Sequence, residues 1–80
     1  MEVIYGCNEF NFIVKDGNNY YKVTLRNPKA LLINELTVQR ILRQGYWEEL
    51  PSVDEDKLSE IRKVINTNTV DFLNAFGDYD

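Results

Sequence analysis

The sequence predicts an α+β domain in which a small antiparallel sheet of two or three strands, formed by the N-terminal part, is covered by three to four helices. Three observations predict it. Apolar and polar residues alternate over "FNFIVKDGNNYYKVTL", apolar residues recur at helical spacing through most of the chain beyond Leu25, and 80 residues leave room for one core, so a single domain over 1–80 is expected.

Phe10, Phe12 and Val14 alternate with Asn11, Ile13 and Lys15, and Tyr21, Val23 and Leu25 alternate with Tyr20, Lys22 and Thr24. Between the two runs, Asp16-Gly17-Asn18-Asn19 carries the turn chemistry of a hairpin. "EVIY", ahead of Gly6-Cys7-Asn8-Glu9, supplies a third strand, since an isolated hairpin is marginal in water. Such a sheet leaves one apolar face to be covered by helices.

"RNPKALLINELTVQRILRQG" has Asn27 in position to cap a helix, Pro28 at its first turn and Gly45 at its end. At 100° per residue, Ala30, Leu31, Val38, Ile41 and Leu42 fall on one side and Leu32, Ile33 and Leu36 on another. One helix would have to be buried on both sides. A break near Asn34–Thr37 is therefore expected, giving helices at about 28 to 33 and 37 to 44, with Thr37 as the second cap and Leu36 stapled onto Ile41. Further on, Ser52 and Glu55 have capping-box spacing, and Leu58, Ile61, Val64, Ile65, Phe72, Leu73 and Phe76 share one helical stripe. These predict helix from about 53 to 66 and on to about 76, broken or not at "NTNT", with Gly77 as the stop.

Composition narrows the function classes. There is no histidine, the usual general base near neutral pH, and the four glycines, Gly6, Gly17, Gly45 and Gly77, are too dispersed for a phosphate loop. The lone Cys7 has no internal disulfide partner and reads as a small filler beside a turn. Asp54-Glu55-Asp56 lacks the glycine and bidentate glutamate of a calcium loop, and acids in a first helical turn already sit well against the helix dipole. Adjacent Glu48 and Glu49 do not oppose each other as a glycosidase pair would. No catalytic residue, metal or cofactor is expected. The chain lacks an apolar run of membrane-spanning length or signal-peptide shape, so the expectation is a cytoplasmic protein with no membrane partner.

Charge is segregated. Residues 1–47 carry a net +2 and residues 48–80 a net −6, together the overall −4. That favours a protein partner with a basic surface and disfavours phosphate backbone as a direct ligand. "GYWEELPSVDED" places Tyr46 and Trp47 beside a run of carboxylates, and the expected docking face is Tyr46, Trp47, Glu48, Glu49, Asp54, Glu55, Asp56 and Glu60. Trp47 and Tyr46 also suit half-buried lids over the core. Arg40 and Arg43, three apart, suit ion pairs with Glu35 or with the acids after Trp47.

In size, acidity and its nine asparagines the chain resembles small proteins of phages and mobile elements, among them inhibitors of bacterial defence nucleases. That likeness rests on no motif. It implies an anti-CRISPR-like or DNA-mimicking inhibitor that occupies a nucleic-acid-binding groove in a bacterial host. Two other classes compete with a protein-binding module: a helix-turn-helix regulator using residues 28–44, with Gln39, Arg40, Arg43 and Gln44 towards bases, and a self-associating structural subunit.

Overall fold

The computed structural model describes residues 1–50 and 53–71. Strands β1 (Glu2–Cys7), β2 (Asn11–Asp16), β3 (Asn19–Thr24) and β4 (Lys29–Ile33) are followed by helix α1 (Glu35–Leu42), strand β5 (Glu48–Glu49), helix α2 (Glu55–Thr67) and strand β6 (Thr69–Asp71). The strands form one six-stranded sheet in the order β5-β1-β2-β3-β4-β6. Among the described residues, the expected two- or three-stranded sheet under three or four helices is thus replaced by a six-stranded mixed sheet with two helices.

The hairpin is where the alternation places it. Asp16 pairs with Asn19, leaving Gly17 and Asn18 as a two-residue turn. Gly17 has φ +62°, which a primed turn requires of its first residue and glycine adopts without strain. β1 extends beyond the expected "EVIY" to Cys7, and its register with β2 shifts between Val3 and Tyr5. Ile4 is the extra residue of this bulge, so Ile4 and Tyr5 both pack with the cluster around Ile13.

The largest correction concerns residues 28–33. Lys29–Ile33 is a strand, with Ala30 opposite Val23, Leu31 opposite Lys22, Leu32 opposite Tyr21 and Ile33 opposite Tyr20. Its residues serve opposite faces: Ala30 lies in the cluster with Val14 and Val23, and Ile33 in the cluster with Ile13 and Val38. The apolar residues that no single helix face could hold therefore belong to a strand buried on both sides. Residues 28–44 hold a strand and a single helix, so the helix-turn-helix geometry is absent.

α1 begins one turn earlier than expected. Asn34, not Thr37, is its cap, and Asn34 Oδ1 accepts from Thr37 N–H and from Thr37 Oγ1, both at 2.8 Å. The residues around that cap that pack together are Ile33 and Val38, while Leu36 is 60% exposed and staples nothing. Gly45, at φ +82°, ends the turn in which the Gly45 N–H reaches Leu42 C=O at 3.3 Å.

α2 starts at Asp54, whose carboxylate accepts from Lys57 N–H at 2.8 Å. The expected Ser52 cap lies outside the described residues, as do Phe72, Leu73, Phe76 and the Gly77 stop. The expected continuation of the helix through 69–71 is corrected: Thr69–Asp71 runs parallel to β4, with Thr69 opposite Ala30 and Val70 opposite Leu31.

The core has two layers because the sheet is covered on both sides. Val3, Phe12, Val14, Val23 and Ala30 meet Ile61 and Val64 of α2, whereas Ile13 and Ile33 meet Val38 of α1. Phe12, Ile13 and Val14 are all buried although they are consecutive, which only a doubly covered strand allows. β4, β5 and β6 point the same way. α1 carries the chain from β4 to the far edge over one face, and α2 returns it over the other. Opposite directions over opposite faces give both crossovers the same hand, in keeping with the strong handedness preference of such connections.

Candidate functional site: an acidic sheet edge and helix start

The acidic stretch is organised by the return of the chain from α1. After Gly45 reverses direction, Tyr46 points outward, 70% exposed, and Trp47 is half-buried against the Ile13, Ile33 and Val38 cluster. The two adjacent aromatics thus part company. Trp47 is a lid on the α1-side core, and Tyr46 is left on the surface.

Glu48 and Glu49 form β5, lying opposite Gly6 and Tyr5 of β1, and both are exposed. Glutamate has little intrinsic preference for strands, so tertiary anchoring holds them there. Leu50 N–H donates to Ile4 C=O at 3.2 Å, and the Leu50 side chain lies over Gly6. A Cβ on Gly6 would collide with Leu50 Cδ1 and come within 3.1 Å of Leu50 Cγ. Trp47 on one side of the edge and Leu50 on the other fix the two glutamates between them.

Asp54, Glu55 and Asp56 sit at the start of α2, where Asp54 caps the helix and the other two occupy its first turn. Part of their role is accordingly to satisfy the N-terminal N–H groups and the helix dipole. Glu60 is exposed on the outer side, one turn beyond Asp56. The fold adds Glu9, which no local pattern indicates: Lys57 Nζ donates to the Glu9 carbonyl at 3.3 Å, joining the β1–β2 turn to the helix start. Glu9, Leu50, Asp54 and Lys57 line a shallow depression there. Glu2 is likewise drawn in, since it lines an open groove with Glu49 and Leu50.

Among the described residues the one ion pair joins the Met1 amino group to Asp16 at 3.8 Å. Glu48, Glu49, Asp54, Glu55, Asp56 and Glu60 have none with any described residue. Arg40 and Arg43 do not pair with Glu35 or with the described acids after Trp47; they stand exposed on the outer side of α1. The site residues form two groups, Tyr46, Glu48 and Glu49 on the sheet edge and Asp54, Glu55, Asp56 and Glu60 on α2, with Trp47 beneath the first. No group of three metal-ligating side chains occurs among the described residues, and no helix there is long and apolar enough to cross a membrane.

No family model, curated protein or solved structure matches the chain. The likeness in size and composition to phage-encoded inhibitors and DNA mimics thus has no matching protein behind it.

Proposed function

We propose that the chain is a non-enzymatic protein-binding module whose acidic edge and helix start engage a basic surface on a partner. The observation that supports it is that six carboxylates between Glu48 and Glu60 form no ion pair with any described residue, next to a tyrosine that is 70% exposed. A carboxylate with no ion-pair partner of its own attracts a cationic surface and steers its approach. Tyr46 adds apolar contact area with few rotamers to freeze, which is what an interface anchor needs. Trp47 supports the site from beneath.

The test is retention of basic proteins on the immobilised chain at low and high ionic strength. A basic partner should be held at low salt and released as the Debye length shortens. The triple variant Asp54→Asn, Asp56→Asn, Glu60→Gln should lose most of that retention while keeping the helix cap, since asparagine caps as well as aspartate. Retention that is indifferent to the triple substitution, or restricted to neutral and acidic proteins, ends this reading.

A further inference from the structure

Around Tyr46 the surface changes sign. Arg40 and Arg43 stand exposed on the outer side of α1, Tyr46 follows Gly45 and is 70% exposed, and the exposed Glu49 comes next on the edge strand. Glu49 lies on the α1 side of the sheet, because it pairs with Tyr5 and follows Trp47 by two residues, and both of those pack into the Ile13, Ile33 and Val38 cluster. Arg43 and Glu49 therefore share one side of the molecule, three residues before and three after Tyr46, so neither Cα is more than about 11 Å from that of the tyrosine. Yet they form no ion pair with each other. Other charges do not blur the boundary. At the far end of β1, Glu2 and Asp16 are balanced by Lys15 and the Met1 amino group, while Glu48, opposite Gly6, and the Glu9–Lys57 contact belong to the α2 side. Leu50 continues β5 towards Ile4, away from Tyr46, and β6, where the described residues end, is at the opposite edge of the sheet.

We infer that this patch is a self-association surface, on which a second copy of the chain docks about a two-fold axis beside Tyr46. A closed pair of identical chains needs a self-complementary patch, in which what one copy presents the other accepts in reverse. Positive, aromatic, negative is such an order. Rotation by half a turn beside Tyr46 lays Arg40 and Arg43 of each copy towards Glu49 of the other and brings the two tyrosine rings together. A uniformly basic partner would be attracted by Glu49 but repelled by the two arginines, and a uniformly acidic one the reverse, so charge selects an occupant that carries both signs. The second copy carries them in the required order. The inference rests on the reading of the acidic edge as a docking face for a basic surface, and it names that surface as the outer side of α1 in a second copy, leaving Asp54–Glu60 to a different basic partner.

The experiment is sedimentation equilibrium of the full chain over a concentration series at low and high salt. The average mass should rise from that of one chain towards that of two, and less so at high salt. Arg43→Glu and Glu49→Arg, both at exposed positions, should each weaken association about tenfold or more while leaving the urea midpoint in place. Mixing the two single variants should restore it, because in the mixed pair each position 43 again faces the opposite charge at position 49. Tyr46→Ala should also weaken it about tenfold or more. A mass that stays at one chain throughout the series overturns the inference, and so does association that is indifferent to both reversals. Loss in each single variant without recovery on mixing overturns the pairing of Arg43 with Glu49. Retention of basic proteins through Asp54, Asp56 and Glu60, measured on the Arg43→Glu chain, reports on the acidic-surface reading separately: it persists if only the self-association is wrong.

Discussion

Gly6 has no side chain because Leu50 occupies the space that one would need. Gly6→Ala should destabilise the fold by about 1–3 kcal/mol in urea titration, the usual cost of overfilling a packed site. Shortening the neighbour removes the clash, so Leu50→Ala should cost less in the Gly6→Ala background than in the parent, a coupling that a double-mutant cycle measures. Asn34 acts through its side-chain oxygen, which accepts from both the backbone and the hydroxyl of Thr37. Asn34→Ala should therefore cost about 1 kcal/mol, and Asn34→Asp much less, by the same titration. Leu36→Lys, at a position that is 60% exposed, serves as the contrast and should stay within about 0.5 kcal/mol of the parent. Sequence alone misplaces this cap at Thr37 because Asn34 and Thr37 both suit the role. What separates them is Ile33, which enters the core as the last residue of a strand and leaves the next residue to open the helix.

At the scale of elements, α2 is held by few but complete contacts. Ile61 is fully buried between the helix and the sheet, and Ile61→Ala should cost about 2–5 kcal/mol, read as a fall in the urea midpoint. This helix is legible in the sequence because its apolar residues keep helical phase and an acidic first turn precedes them. The β2–β3 hairpin is legible for the corresponding reason at period two. β4 is not, because a short apolar run flanked by capping residues fits a helix and a buried strand equally by periodicity. The clue in the sequence is negative: Ala30, Leu31, Leu32 and Ile33 have no common helical face. A strand resolves that conflict by sending Ala30 to the α2 side and Ile33 to the α1 side. β5 leaves no local trace at all, since two glutamates carry no strand preference and are held by Trp47, Leu50 and the pairing with Tyr5 and Gly6.

For the molecule as a whole, the acidic character of residues 48–60 is legible from charge alone, and so is the choice between lid and anchor for its two aromatics. How that choice divides between Tyr46 and Trp47 depends on the reversal at Gly45. Glu2 and Glu9 escape a local reading because they join the site only through the sheet and through the Lys57–Glu9 hydrogen bond. Folding should reflect the same long-range organisation. Both outer strands are placed by helices that cross the entire sheet, so closure precedes the contacts that reward it, and refolding measured by stopped-flow should fall in the millisecond-to-second range rather than the microsecond range of helical bundles.

Among the described residues the outermost strands are Glu48–Glu49 and Thr69–Asp71. Between them lie strands rich in valine, isoleucine, leucine and tyrosine, the composition from which fibrils grow when such strands stack in register. β6, paired along β4, therefore works as a guard on that apolar strand. A chain ending at Thr67 would present Ala30–Ile33 as an uncapped template, and thioflavin fluorescence and light scattering should reveal its conversion into cross-β aggregates at concentrations where the full chain stays dispersed.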